Sequence, residues 1–279
     1  MKRTLPATPF FSRTGVPTGP FLRLLELTGI TERTFDGILE LTQKHWRIPD
    51  ATAAKIAERD AHLADGALPL FRELSLVGVP KISPGDRQWF VHLGATYVAM
   101  HKRFAHGVEL WKERGVRWSN TAYLTSARRR YVEPPKDSER DEVLLKPVAG
   151  GLPFASGWQP PETLPATENE LMPYILTQVG HHRAWNRDRE RFVTHPNEKA
   201  NTADTLVAFV EQCDPRGEAC VIVSSQPHIL RQGLTAARIL GDRFNRYDFM
   251  GYDTPEALNV TKTLDDVAKL VYELNELSK

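Results

Sequence analysis

The spacing of apolar residues along the chain changes character near residue 81. Before it, apolar residues recur every three or four positions, which predicts helices that bury one face. After it, short apolar runs rich in β-branched residues alternate with stretches of helical period. Strands that alternate with helices indicate an α/β fold with a doubly wound, mainly parallel sheet. We expect about five strands in that sheet, preceded by a helical extension.

This change divides the chain into three predicted regions. Residues 1–20 are rich in Pro, Thr and Gly and have no period, so we expect an extended arm. Residues 21–80 form the N-terminal helical extension, and residues 81–279 form the α/β domain. The helices of the extension are expected from Phe21, after a cap at Thr31, and over residues 51–63 and 68–76.

Five apolar runs after residue 81 predict the strands of the sheet. They cover residues 88–93, 121–125, 191–194, 219–223 and 247–250. The helices are expected over residues 99–114, from a Thr167–Glu170 capping box, over 202–213, from Pro227, and over 264–277 after a Thr263 cap. Residues 131–165 are rich in Pro and without period, which predicts a long loop that is either functional or disordered. Within that loop, residues 141–148 are expected to add a short strand or to pack as a lid.

Composition narrows the class of protein without naming a function. The chain has 279 residues, 41% of them hydrophobic and 25% charged, and a formal net charge of +1. These values are typical of a soluble globular protein and give no bulk attraction to nucleic acid or to a membrane. Neither a signal peptide nor an apolar run of membrane-spanning length is evident, so we expect a cytoplasmic protein. Cys213 and Cys220 lie in apolar contexts, which predicts buried, reduced thiols.

Candidate functional residues follow the predicted strands, where the strands of a parallel sheet end on one rim. The residues expected to bind a ligand are Gly94, Ala95, Thr96, Arg103, Ser126, Arg128, Asn201, Thr202, Ser224, Ser225 and Arg231. Cations, hydroxyls and helix N-termini together suit a small anionic ligand with a phosphate or carboxylate group. Glu168 and His228, each at the start of a helix, are the expected catalytic residues because both can exchange protons.

Six motifs follow one another in a fixed order over residues 88–250: HLGAT, Arg103 in the next helix, TSARR, TENELM, ANTADT and VSSQPHILRQ. This order resembles that of the YdcF-like family, which includes SanA and ElyC. The resemblance implies a Rossmann-like fold and a ligand site. It assigns that site to Gly94, Arg103, Ser126, Glu168, Asn201, Thr202, His228 and Arg231. One cytosolic member is associated with S-adenosylmethionine, which makes this molecule a possible cofactor or ligand.

The chain departs from the family pattern in three places. Ala127 follows Ser126 where the family usually has Gly, so the turn there is less open. Thr205 stands where an Asn is common, and the loop before Glu168 is long. The membrane anchor of some members is not evident in this sequence. None of these departures removes a residue that the motifs assign to the site.

Several common sites are not predicted. The sequence has no GxGxxG, GxxxxGKS or GxSxG motif, so dinucleotide, P-loop and serine-hydrolase sites are not expected. Ser225 and His228 could form a nucleophile–base pair, but no carboxylate that would orient the histidine is evident. The histidines lack metal-ligand spacing. Residues 181–191 are basic with one Trp, but interleaved acids favour a solvated loop over a nucleic-acid site.

Two classes of function remain open. The first is an enzyme, a hydrolase or transferase that acts on a phosphorylated or nucleotide-like substrate. In it, arginines 103, 128 and 231 would hold the anion, Glu168 would be the general base or a carboxylate beside a metal ion, and His228 would be the general acid. The alternative is a module that binds S-adenosylmethionine or a nucleotide without reaction, or one that binds a protein through the N-terminal helices. The oligomeric state is left open.

Overall fold

The chain divides into two compact units. The structure, a computed structural model, describes residues 6, 8–48, 59–130, 140–180, 189–253 and 259–279. The helical unit comprises Met1–Val79, Gln226–Arg238 and Asp253–Lys279, and the sheet unit comprises Pro80–Ser225 and Ile239–Tyr252. Two segments from the predicted α/β domain therefore cluster with the N-terminal helices. The predicted helix over 51–63 lies largely outside the described residues, which show a short 3₁₀ turn at Ala61–Leu63.

The elements of the described residues are as follows in chain order. The helices are α1 (Gly19–Leu27), α2 (Phe35–His45), α3 (Ala64–Glu73), α4 (Tyr97–Lys112), α5 (Glu168–Val179), α6 (Thr202–Cys213), α7 (Ile229–Leu240) and α8 (Val260–Leu277). The strands are β1 (Gly85–Leu93), β2 (Val116–Ser126), β3 (Glu190–His195), β4 (Gly217–Ser225) and β5 (Phe244–Tyr252). A single helical turn, Asp141–Leu144, lies in the long insertion between β2 and α5. Among the described residues, no helix combines the length and apolarity needed to cross a bilayer.

The sheet has five parallel strands in the order β3-β2-β1-β4-β5. From β1 the chain moves outward to β2 and β3, and then returns to the other side of β1 for β4 and β5. This order is that of a doubly wound, Rossmann-like sheet, so the predicted fold class is confirmed. The sheet unit packs α4 and α5 against Phe90 of β1, whereas Trp89 stacks edge-on against Phe209 of α6 with ring centroids 5.1 Å apart.

Strands extend beyond the apolar runs that predicted them, because pairing and not polarity decides where they begin. β2 starts at Val116, five residues before the predicted strand, since Val116 pairs with Gly85 of β1. Trp118 of this added part stacks on Phe90 with centroids 4.3 Å apart. The polar Arg117 and Ser119 beside it conceal the strand in the sequence.

Helix starts follow the side chain that caps them. The predicted capping box of Thr167 and Glu170 is confirmed at α5, and Asn201 caps α6 together with Asp204. Other predicted starts are wrong by a few residues. Thr34 rather than Thr31 caps α2, and Asn259 rather than Thr263 caps α8. α7 begins at Ile229, two residues after Pro227.

The helical unit has its own core. Within residues 8–18 the chain makes a tight turn, with Ser12 N donating to Val16 O at 2.9 Å, and it buries Phe10 and Phe11. Both rings pack edge-on against Phe21 of α1, with centroids 5.1 and 5.2 Å away. The long C-terminal helix α8 contributes Leu264, Val267, Leu270, Val271 and Leu274 to the same core. The hydrophobic face of α8 therefore belongs with the N-terminal helices.

One carbonyl group of the long insertion, that of Leu144, accepts several hydrogen bonds from helices α4 and α5. Leu144 O accepts hydrogen bonds from Gln178 Nε2 at 2.7 Å, Tyr174 Oη at 2.9 Å and Tyr97 Oη at 3.2 Å. Gln178 Oε1 in turn lies 3.0 Å from His101 Nε2. Burial of this network keeps the pKa of His101 below its usual value, so the ring is neutral. Residues 131–139 of the predicted loop lie outside the described residues.

Replacement of Gln178 by Leu should loosen this attachment. The substitution keeps the volume but removes a donor to Leu144 O and the partner of His101 Nε2, which should cost about 1–3 kcal/mol. Urea unfolding measures the loss, and limited proteolysis should reveal earlier cleavage within residues 140–165. The exposed neighbour Thr177→Ala is the control. If Gln178→Leu unfolds and is cleaved like the wild type, the network does not hold the insertion.

Candidate functional site

The sheet unit has one position that its topology singles out as a ligand site. The strand order reverses between β1 and β4, and in open α/β sheets ligands bind outside the carboxyl ends of the strands at such a switch point. β1 ends at Leu93 and β4 ends at Ser225, both strands lying next to each other in the sheet. The predicted residues that follow these two strands therefore lie where a ligand is expected.

Arg103 of α4 joins the two strand ends. Its guanidinium group donates to Leu93 O at 2.8 Å, to Gly94 O at 2.9 Å and to Ser225 Oγ at 3.0 Å. The side chain is only 3% exposed. These N–H groups are thus directed at the protein's own oxygens, and the contribution of Arg103 to an anionic ligand is mainly the field of a buried positive charge.

The histidine that neighbours Arg103 adds no charge beneath the switch point. His92 of β1 is fully buried, and both its burial and the nearby Arg103 lower its pKa to about 3. The ring is therefore neutral at physiological pH, with Nε2 placed 3.2 Å from Met100 O. A neutral imidazole is required there because two adjacent buried cations would repel each other.

Tyr252, the last residue of β5, was not predicted from the sequence and lies beside this position. It pairs with Ser225 in the sheet, and its phenol interacts with the Ser225 hydroxyl. Burial raises the pKa of the phenol, and Arg103 partly offsets that rise. The ammonium group of Lys102 lies 5.5 Å from the centroid of its ring. The sequence feature that could have pointed to Tyr252 is its place directly after an apolar run, at the end of a strand.

Gly94, Ser126 and Glu168 meet at the carboxyl ends of β1 and β2. Gly94 N donates to Leu124 O at 2.6 Å, and the Ser126 hydroxyl donates to Glu168 Oε2 at 2.9 Å. Glu168 is only 9% exposed, and its other carboxylate oxygen occupies the space that a Cβ at position 94 would take. The carboxylate of Glu168 therefore contacts both of the other two predicted residues.

The helix N-termini of the sheet unit differ in how they are capped. The first N–H groups of α5 and α6 are satisfied by capping boxes, in which Asn201 Oδ1 accepts from Ala203 N at 2.7 Å. Thr96, by contrast, makes no side-chain cap at α4. Uncapped N–H groups at a helix start bind anions well, so the Gly94–Thr96 turn before α4 is the place that suits an anion. Asn201 and Thr202 follow the edge strand β3 and act as helix start residues.

The two arginines after β2 have different surroundings. Arg128 is exposed, and within the described part of the chain its side chain has no ion-pair partner, while its carbonyl accepts from Glu168 N at 2.9 Å. Arg129 is also exposed, but its Nε lies 3.3 Å from Glu198 Oε1. Arg128 is thus available to an anionic ligand at the rim. Ser224, also predicted, is buried at 2% exposure near the end of β4.

His228 and Arg231 belong to the helical unit, where both contact Asp266 of α8. Asp266 Oδ1 lies 2.8 Å from His228 Nδ1 and 2.6 Å from Arg231 Nε. Asp266 is therefore the carboxylate that orients His228, and it was not predicted from the sequence. In the sequence, Asp266 could be recognised as buried because it lies on the same face of α8 as Thr263 and Leu270, which are both buried. The predicted convergence of all strand ends on one hollow stays a prediction.

The charge state of Asp266 follows from its two partners. The carboxyl group is buried, which alone would raise its pKa. The charges of Arg231 and His228 and their hydrogen bonds outweigh burial and lower the pKa to about 2. Asp266 is consequently ionised under all physiological conditions.

Comparison with known proteins does not add to this geometry, because no family model, no curated protein and no solved structure matches the chain. The resemblance to the YdcF-like family therefore remains a prediction from the motifs. Among the described residues, no group of three His, Cys, Asp or Glu side chains is placed to hold a metal ion. His181 and His182, with the basic segment that follows them up to residue 188, lie outside the described residues.

Replacement of Gly94 by Ala should disturb the contact between β1 and Glu168. The added methyl group would overlap Glu168 Oε1 and lie 2.7 Å from Leu124 O, so the carboxylate or the strand end must move. We expect a loss of about 1–3 kcal/mol in the free energy of unfolding, measured in urea. Gly19→Ala is the matched control, since nothing lies within 4 Å of its Cβ position. Equal stability of Gly94→Ala and the wild type would contradict the close contact.

The low pKa of Asp266 predicts a particular acid sensitivity. A carboxyl group whose folded-state pKa is about 2, below its usual 3.8, adds stability that is present above about pH 4 and lost as pH falls toward 2. This difference amounts to about 2 kcal/mol. Asp266→Asn should therefore be less stable at neutral pH and lose less stability on acidification. Unfolding measured from pH 7 to pH 2 tests this, with exposed Asp65→Asn as control, and identical slopes for Asp266→Asn and wild type would contradict it.

Proposed function

We propose that the sheet unit binds a small anionic ligand, phosphorylated or nucleotide-like, at the carboxyl ends of β1 and β4. The observation that carries the proposal is the buried Arg103, which joins Leu93, Gly94 and Ser225 at the switch point. A buried guanidinium group beneath a rim creates a positive potential toward the solvent above it. Open sheets of this strand order bind ligands at that rim.

The phosphate or other anionic group of the ligand is best placed at the start of α4. Gly94, Ala95 and Thr96 form a short turn there, and Thr96 leaves the first N–H groups of the helix uncapped by a side chain. Exposed Arg128 supplies a cation after the adjacent strand β2. N–H groups at a helix start and an arginine side chain are common partners of a phosphate group.

The hydroxyl groups of the ligand are best placed near Glu168. Its carboxylate contacts Ser126 Oγ and the Gly94 backbone, close to the same turn. A carboxylate is an acceptor only, so it favours a ligand that presents O–H donors, such as the diol of a ribose. A site that binds a phosphate at the start of α4 and a diol at Glu168 suits a nucleotide or a sugar phosphate.

Glu168 also supports a catalytic form of the proposal. A nearly buried carboxylate at a ligand site can take the proton of water or of a substrate hydroxyl as its oxygen attacks phosphorus. The P–O bond to the leaving group then breaks, and the leaving group takes a proton from solvent. In this form the sheet unit is a hydrolase or transferase with Glu168 as its general base.

S-Adenosylmethionine is the second candidate ligand, favoured by the negative charge of Glu168 beside Gly94. This molecule carries a ribose diol, a sulfonium cation and a carboxylate, but no phosphate. It would use Glu168 in the same way, and its carboxylate would pair with Arg128. Thermal shifts with AMP and with S-adenosylmethionine therefore separate the two candidates.

A thermal-shift panel tests the binding proposal. The full chain is heated with inorganic phosphate, ribose 5-phosphate, AMP, ADP, adenosine and S-adenosylmethionine. A ligand present at 100 times its Kd should add about 2.7 kcal/mol to the free energy of unfolding and raise the Tm by several degrees. We expect the largest shifts from AMP, ADP or ribose 5-phosphate. The absence of any shift across the panel would overturn the proposal.

Two variants assign the ends of the ligand. Arg128→Gln should weaken phosphorylated ligands about tenfold, because it removes a charged hydrogen bond, whereas the neighbouring Arg129→Gln should leave their affinity unchanged. Glu168→Gln should weaken ligands that carry a diol and abolish any turnover found with them, with exposed Glu162→Gln as its control. Equal affinities in Arg128→Gln and Arg129→Gln would place the anion elsewhere.

A further inference from the structure

We propose that His228, Arg231 and Asp266 of the helical unit form an oxyanion-binding site at which His228 exchanges a proton with a bound phosphate group. All three residues belong to the helical unit. The inference does not depend on the ligand proposed for the sheet unit. It rests on the way one buried carboxylate holds two side chains that reach the solvent.

Asp266 is the fixed part of the site. Its side chain is only 2% exposed, whereas that of His228 is 38% exposed and that of Arg231 is 16% exposed. Both neighbours bond to the same oxygen, Oδ1. The carboxylate thus acts from inside the unit on two groups nearer the surface, which is the arrangement of a residue that positions others.

The contact with Asp266 fixes the state of the His228 ring. An ionised carboxylate only accepts hydrogen bonds, so Nδ1 must carry the proton that it donates to Oδ1. In the neutral ring Nε2 then carries the lone pair, and it has no hydrogen-bond partner in the described part of the chain. A carboxylate that orients an imidazole so that Nε2 faces outward is the arrangement by which proteins place a proton-transfer group.

Arg231 provides the charge that an anion would need. Only its Nε is used on Asp266, and no partner for the two terminal nitrogens is found among the described residues. The group lies in the first turn of α7, where Gln232 N donates to His228 O at 2.9 Å and the helix dipole is positive. A bound anion would therefore meet two N–H₂ groups and the positive end of a helix.

An ion pair that only holds α7 and α8 together has a different geometry from the Asp266 cluster. The same two helices contain such a pair, which we call a brace. Arg238 donates from Nε to Glu273 Oε2 at 2.8 Å and from NH2 to Glu273 Oε1 at 3.4 Å. That pair uses both carboxylate oxygens and two nitrogens of the guanidinium group. At Asp266 both bonds converge on Oδ1, while Oδ2 is buried without a partner in the described residues. The Asp266 carboxylate therefore makes one hydrogen bond fewer than it would make in a brace.

Phosphate fits these groups better than other common anions. Its P–O⁻ oxygens would accept from the terminal nitrogens of Arg231, and a P–OH group would donate to Nε2 of His228. Passage of that proton to Nε2 converts the ring to imidazolium, which the negative charge of Asp266 stabilises, and leaves on Arg231 a phosphate group with one more negative charge. The exchange moves one proton and forms or breaks no other bond. Sulfate has the same shape but no O–H at neutral pH.

Nitrogen NMR of the full chain tests the proposal. The ¹⁵N shifts of His228, assigned with His228→Gln, report which ring nitrogen carries the proton. Inorganic phosphate and sulfate are then titrated separately at a pH where these shifts show a neutral ring. We expect the Nδ1–H tautomer, saturable shifts with phosphate and at least tenfold weaker binding of sulfate.

Two variants on α7 separate an anion site from a brace. Arg231→Gln should weaken phosphate binding at least tenfold, and Arg238→Gln should leave phosphate binding unchanged although it breaks a similar pair between the same helices.

Asp266→Asn should give a mixture of the two His228 tautomers. If that variant does not fold, the wild-type tautomer decides, since a proton on Nε2 overturns the proposal. Unchanged His228 shifts with phosphate, equal affinity for sulfate, or equal effects of the two arginine variants would overturn it as well. None of these outcomes bears on nucleotide binding by Arg128 and Glu168.

Discussion

The sheet unit depends on a positive charge placed where the direction of the chain through the sheet reverses. Arg103 reaches from α4 to the ends of β1 and β4, where its terminal nitrogens donate to two backbone carbonyls and to the Ser225 hydroxyl. These three partners are neutral dipoles, which solvate the charge of the guanidinium group. Burial and the arginine charge together keep His92 neutral, whereas at Tyr252 the arginine charge partly offsets the rise in pKa that burial causes. A positive charge at the ends of two strands raises the electrostatic potential at that rim.

The helical unit handles a buried charge in the opposite way. Asp266 is negative and is held ionised by Arg231 and His228, so its charge is compensated at short range. A compensated buried ion pair contributes little to net stability compared with apolar packing, although removal of one partner is costly. Such a cluster is therefore better explained by what it positions than by what it stabilises. The exposed face of His228 is what Asp266 positions.

The sequence predicts helices, strands and the residues at strand ends better than it predicts which side chains bond to one another. The apolar runs located all five strands, and the capping residues located α5 and α6, because both signals are local. Arg103 was expected to hold a ligand, whereas its bonds go to Leu93, Gly94 and Ser225, and this requires knowing that β1 and β4 are neighbours. Asp266 was missed because its partners lie 35 and 38 residues away along the chain. The start of β2 was missed since only pairing with β1 defines it.

Local hydrogen bonding distinguishes ligand residues from structural ones within a single rim. Asn201 and Thr96 both precede a helix after a strand and look alike in the sequence. The side-chain oxygen of Asn201 accepts hydrogen bonds from the first N–H groups of α6, whereas Thr96 leaves those of α4 without a side-chain cap. A helix start capped by its own side chain offers an anion fewer donors, and an uncapped one offers the full set. Arg128 and Arg129 differ in the same sense, because Glu198 already pairs with Arg129. The anion-binding capacity of the rim is thereby concentrated at Gly94–Thr96 and Arg128.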